Sequence, residues 1–145
     1  MKKYKVGYTA GVYDMFHIGH LNLIKKAKEQ CDYLIVAVST DELVQKEKNK
    51  TPIIPFEERV QIIEALKYVD EVVPQVDKNK FGAWEKYKFD AMFVGDDWKG
   101  KPIFKEAEEK LAKVGAEVVY FPYTGHISST ILRDKINKEY PVNEQ

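Results

Sequence analysis

A chain of 145 residues, 44% hydrophobic and 12% aromatic, can bury one core without metal or disulfide staples, so a single domain is expected. Lys+Arg and Asp+Glu both number 23, which excludes a global basic field for holding nucleic acid and makes any anion site local. The single cysteine, Cys31, excludes an internal disulfide and suits the core, and the absence of a secretory-signal pattern or a bilayer-length apolar run points to a cytoplasmic protein with no membrane partner.

Short β-rich runs alternate with longer stretches of helical period, the pattern of a parallel sheet linked by crossover helices. The first strand is expected over residues 4–9. A helix over 21–30 follows, with Ile24, Ala27 and Cys31 inward and Lys25, Lys28 and Glu29 toward water. The second strand spans 32–39. Residues 41–55, rich in lysine and proline, resemble a mobile loop bordering a site. The second helix starts near Pro55 with Glu57 and Glu58 in its first turn and Phe56, Val60 and Ile63 inward. The third strand covers 71–73, and residues 75–88, with Gly82 and Trp84, form a second bordering loop with some helical character.

The fourth strand is expected over 91–94. A helix marked by Phe104, Ala107, Leu111 and Val114 then stops at Gly115, and the fifth strand spans 117–121. The last helix starts near Ser129 and carries Leu132, Ile136 and Tyr140 on one stripe. The tail 141–145 should fray, leaving residues 1–140 as the domain. The fold class is therefore α/β: one Rossmann-like three-layer domain with a five-stranded, mainly parallel sheet.

Chemistry concentrates where the first strand turns into the first helix, from Gly11-Val12-Tyr13-Asp14 to His17-Ile18-Gly19-His20. A strand-to-helix turn in an open α/β sheet lies at the carboxyl edge where ligands bind, and a helix start offers free N–H groups to phosphate. Gly19 lets backbone approach a ligand, and His17 and His20 flank it as donors. Two of the three histidines of the chain lie in this turn. A helix cap is the structural alternative for both, and a zinc pair lacks the ligands to complete a tetrahedral site.

His17-Ile18-Gly19-His20 resembles the HxGH signature of the class I nucleotidylyltransferases. Ser39-Thr40-Asp41-Glu42, Arg59, Tyr68-Val69-Asp70-Glu71-Val72 and Gly95-Asp96-Asp97-Trp98 further resemble the cytidylyltransferase branch, nearest the glycerol-3-phosphate cytidylyltransferases, over almost the whole chain. Under that resemblance Asp96, Asp97 and Trp98 help form the cytosine pocket, and Gly11, Val12, Tyr13, Asp14, Gly19, Lys48 and Arg59 bind nucleotide. The C-terminal segment departs from the branch. Tyr123 and His126 stand where arginine and glycine are usual, while Ile127-Ser128-Ser129-Thr130, followed by Arg133, is similar to the ISSTxxR motif of adenylyltransferases.

Hydroxyls and N–H groups at Ser128, Ser129 and Thr130, with Thr124 and Ile127, are expected at the triphosphate, and Arg133 is the candidate for the missing cation. Lys46, Lys48 and Lys50 form a basic comb, of which Lys46 and Lys48 best carry over the family's phosphate-binding lysines. The resemblance gives acceptor-binding roles to Lys46, Lys67 and Lys80, and catalytic roles to His17, His20, Lys46 and Arg133. It implies CMP transfer from CTP to a small phosphorylated alcohol, foremost glycerol 3-phosphate, yielding CDP-glycerol for teichoic acid or surface polysaccharide synthesis. It further implies magnesium entering with the triphosphate, with no direct protein ligands, and a homodimeric enzyme. The alternatives are an adenylyltransferase on a phosphorylated sugar or cofactor precursor, and a non-catalytic nucleotide-binding module.

Overall fold

The computed structural model describes residues 2–122 and 129–139. Five strands, β1 Tyr4–Gly11, β2 Cys31–Ser39, β3 Glu71–Gln75, β4 Ala91–Gly95 and β5 Glu117–Phe121, form one sheet in the order β3-β2-β1-β4-β5. Every pairing is parallel, so the sheet is wholly rather than mainly parallel. Six helices accompany them among the described residues: α1 Ile18–Gln30, α2 Asp41–Lys48, α3 Phe56–Glu64, α4 Lys80–Tyr87, α5 Pro102–Ala112 and α6 Ser129–Glu139.

The strands lack strict polar alternation because both faces of the sheet are covered. Along β2, Leu34, Val36 and Val38 join Ile24, Ala27 and Ile63 from α1 and α3 in one core, whereas Ile35 and Ala37 pack on the opposite side with Phe89, Phe104 and Leu111. The period of two thus splits a continuous apolar run between two helical layers. Cys31 opens β2 fully buried, and burial pushes its thiol up to about 11. Its small side chain matters because a Cβ at Gly7 would lie 2.7 Å from the Cys31 sulfur and 2.5 Å from the Phe93 ring.

Several boundaries differ from expectation. Residues 41–48 form a helix rather than a loop, started by Thr40, whose hydroxyl accepts from Leu43 N at 3.1 Å. The segment 80–87 is likewise helical, capped by Asn79. α1 begins at Ile18, a turn before the expected start, and β3 runs on through Pro74 to Gln75, which an edge strand tolerates. α5 ends at Ala112, leaving Val114 exposed, and Ile136 on α6 is exposed instead of lying on a buried stripe.

From β1 the chain crosses to β2 and β3 on one side, then returns to β4 and β5 on the other. The connections leaving β1 and β4 therefore diverge, opening a crevice at the carboxyl edge of the sheet.

Candidate active site

A cavity of about 530 Å³ occupies that crevice, and every residue from Gly11 to Asp14 lines it, together with His17, Gly19 and His20. Tyr13 and Met15 take left-handed φ values of 57° and 50°, a strained backbone for residues with side chains. Two contacts hold the turn in this shape. The Tyr13 ring is buried edge-on to His20 at 5.4 Å, and the buried Asp14 carboxylate accepts from Ile53 N at 2.8 Å and Ile54 N at 2.9 Å.

The histidines cap α1 and face the cavity at once. His17 Nδ1 accepts from Gly19 N at 3.0 Å, and His20 Nδ1 accepts from His17 N at 3.2 Å, a reciprocal capping box made from imidazoles. Burial lowers the pKa of His17 and, with the neighbouring His17 ring, that of His20 to about 4, so both are neutral near pH 7. A neutral imidazole whose Nδ1 accepts must carry its proton on Nε2. Both rings are thereby fixed as Nε2–H donors, and His17 Nε2 is buried with no partner among the described residues. The capping alternative is realised together with a cavity position.

Cations ring the opening. Lys48 and Lys50 line the cavity, whereas Lys46 does not: two residues apart on α2, Lys46 and Lys48 differ by about 200° around the axis. Lys80 also lines it, with its ammonium 5.2 Å from the Phe104 ring centroid, and desolvation plus nearby Lys78 lowers its pKa to about 8. Lys67 lies away from the cavity lining, over the Tyr68 ring at 5.3 Å.

At the end of β4, residues Asp96–Trp98 form a 3-10 turn in which Asp97 and Trp98 line the cavity and Asp96 does not. Trp98 leans on Phe104 with centroids 5.6 Å apart. A Cβ on Gly95 would meet Asp97 Oδ1 at 2.6 Å, so only glycine lets that carboxylate fold back over the strand end.

Arg59, expected at the nucleotide, is fully buried behind the site. Its guanidinium donates to the carbonyls of Ile54, Val12 and Ser39 at 2.7–2.8 Å and pairs with Asp41 at 2.6 Å. With these bonds made inside the protein it is absent from the cavity lining and braces three segments around it. Thr124, Ile127 and Ser128, with Tyr123 and His126, lie outside the described residues. Ser129 and Thr130 open α6, and Arg133 follows one turn on, but their side chains are also outside the described residues.

Asn22 and Lys26 line the cavity from α1 and were not anticipated, although their i+3 and i+7 spacing from Gly19 puts all three on one helix face. Gln75 and Lys78 were missed too, because their place at the cavity becomes evident only with the order of the sheet, and Ser39 was read only as part of the motif ending the second strand.

A parallel sheet whose switch point holds two imidazole donors inside a ring of lysines defines a nucleotide-binding protein of the α/β class, suited to phosphoryl chemistry. Residues 8–135 match the cytidylyltransferase-like family, and the chain belongs to that family. It is 39% identical over 135 residues to the glycerol-3-phosphate cytidylyltransferase of Bacillus subtilis (strain 168), covering 88% of this chain and 94% of that protein. The FAD synthase of Pyrococcus abyssi is 38% identical over 118 residues, covering 79% and 78% of the two chains. Among solved structures, a lipopolysaccharide core biosynthesis protein from Thermoplasma volcanium superposes with a TM-score of 0.68 at 26% identity, covering 83% of this chain and 97% of that one.

Proposed function

We propose that the protein transfers CMP from CTP to glycerol 3-phosphate, forming CDP-glycerol and pyrophosphate. The observation that carries this reading is the fixed pair of Nε2–H donors on His17 and His20 within the lysine-ringed cavity. Likeness to glycerol-3-phosphate cytidylyltransferases over most of both chains supports the choice of substrates.

A phosphomonoester oxygen of the acceptor attacks the α-phosphorus in line with departing pyrophosphate, so one P–O bond forms as another breaks and no protein nucleophile is required. The acceptor is already an anion and needs no general base. Catalysis then rests on holding the two anions together and on donors aimed where charge gathers. The two imidazoles donate without bringing a charge of their own, and Lys48, Lys50 and Lys80 offset the summed charge of the substrates. Asp97 offers an acceptor for the exocyclic amine of cytosine, and Trp98 a flat wall beside it.

Magnesium would enter this reaction with CTP and would supply neutralisation of the triphosphate charge. Lys48 and Lys50, which line the cavity, would share the phosphate charge with it, and both oxygens of Asp14 already accept backbone N–H bonds. The proposal extends to a cytoplasmic homodimer. No helix among the described residues is long and apolar enough to cross a membrane, and light scattering should give about twice the 16.8 kDa chain mass.

Adenylyl transfer is the second reading, favoured by likeness to FAD synthases and by the segment from Ile127 to Arg133. Calorimetric titration separates the two. CTP should bind at least about tenfold more tightly than ATP if cytosine edges are read at Asp97. Tighter binding of ATP would reverse the assignment.

A further inference from the structure

The cavity holds a second polar device, at the ends of β2 and β3, that the reaction described above does not use. Ser39 is buried, and its hydroxyl donates to Gln75 Oε1 at 2.7 Å; both residues line the cavity. The backbone fixes the same pair, since Ser39 and Gln75 are in register and Thr40 N donates to Gln75 O at 3.1 Å. With its oxygen engaged by Ser39, the half-buried amide has both Nε2 protons unengaged among the described residues, open to a ligand.

Sheet order says which ligand this is. The histidines follow β1, near the middle of the sheet; Asp97 and Trp98 follow β4 on one side, while Ser39 and Gln75 end β2 and β3 on the other. With the base against Asp97 and Trp98, the acceptor occupies the β2–β3 side, where Lys48 and Lys78, which follow those two strands, line the cavity.

We propose that Gln75, held by Ser39, is a specificity-determining residue that donates its amide N–H groups to a hydroxyl of the acceptor and so selects phosphorylated polyols. The inference rests on the cytidylyl-transfer reading. A hydroxyl oxygen accepts from the amide, whereas a primary ammonium has only donors and a trimethylammonium has neither. An aminoalkyl phosphate would set a cation against amide donors and lysines, leaving the Gln75 N–H groups unpaired. Ser39 is a positioning residue, acting only through Gln75.

The test compares kcat/KM for glycerol 3-phosphate, n-propyl phosphate and phosphoethanolamine with CTP fixed. Gln75→Leu should lose about tenfold on glycerol 3-phosphate and less than about twofold on n-propyl phosphate, which has no hydroxyl to read. Gln75→Glu, nearly isosteric, should move preference toward phosphoethanolamine. Ser39→Ala should raise KM for glycerol 3-phosphate while leaving kcat and the affinity for CTP in place, a split that general loosening would not give. Equal losses on all acceptors, or an unchanged order of preference, overturns the proposal even when the wild-type enzyme is active. Should Gln75→Leu fail to fold, the Glu and Ser39 variants decide by the same criteria. A wild-type protein that binds CTP but turns over none of the three removes the cytidylyl-transfer reading and this inference together.

Discussion

Under the proposed reaction His17 and His20 would have two duties, divided between the ring nitrogens: Nδ1 holds the start of α1, and Nε2–H would donate to phosphate oxygens. Alanine at position 17 removes both functions, so a milder substitution is more informative. Asparagine is a good helix N-cap but cannot place a donor where Nε2 sits. His17→Asn should therefore keep the far-ultraviolet circular dichroism and denaturation midpoint close to wild type while kcat falls roughly a hundredfold. Retained turnover would show the ring to be only a cap. Lys80 gives a pH signature. Its folded-state pKa is lowered to about 8, so its positive charge is lost as pH rises through that value. KM for the phosphorylated acceptor should climb between about pH 7 and pH 9, and Lys80→Arg, charged throughout, should flatten the rise. The same climb in the Arg variant would assign it to another group.

Arg59 ties elements together where it was expected to bind a ligand. Its bonds join α3 to the β1–α1 turn, the end of β2 and the segment preceding α3, and Asp41 brings in α2. Arg59→Met leaves three carbonyls and a carboxylate without their partner, and should lower stability by about 3–5 kcal/mol in urea titrations. A loss below about 1 kcal/mol would mean that water takes over these acceptors. The sequence showed the identity of the arginine but not its direction, since nothing in the spacing of Glu58-Arg59-Val60 distinguishes a ligand contact from a buried brace. α2 was missed for another reason. Only Leu43 and Val44 are buried in it, too few for a visible apolar period, yet Thr40 followed by Asp41 and Glu42 was a helix-start signal that its lysine content obscured. The strands fared better because two covered faces demand unbroken apolar runs, and β2 and β5 supply them.

At the scale of the molecule, the parallel order β3-β2-β1-β4-β5 gathers strand ends from distant parts of the chain around one crevice. Gly11 to His20 could be recognised from sequence because its parts are contiguous. Gln75 and Lys78 could not, since only the assembled sheet brings them to the same cavity. One experiment bears most directly on the joint use of that cavity by two anionic substrates. Incubated with CTP, magnesium and glycerol 3-phosphate, the protein should produce CDP-glycerol and pyrophosphate in equal amounts by 31P NMR, with little product when ATP replaces CTP. Pyrophosphate release with ATP but not with CTP, or no product from either nucleotide, would contradict the assignment.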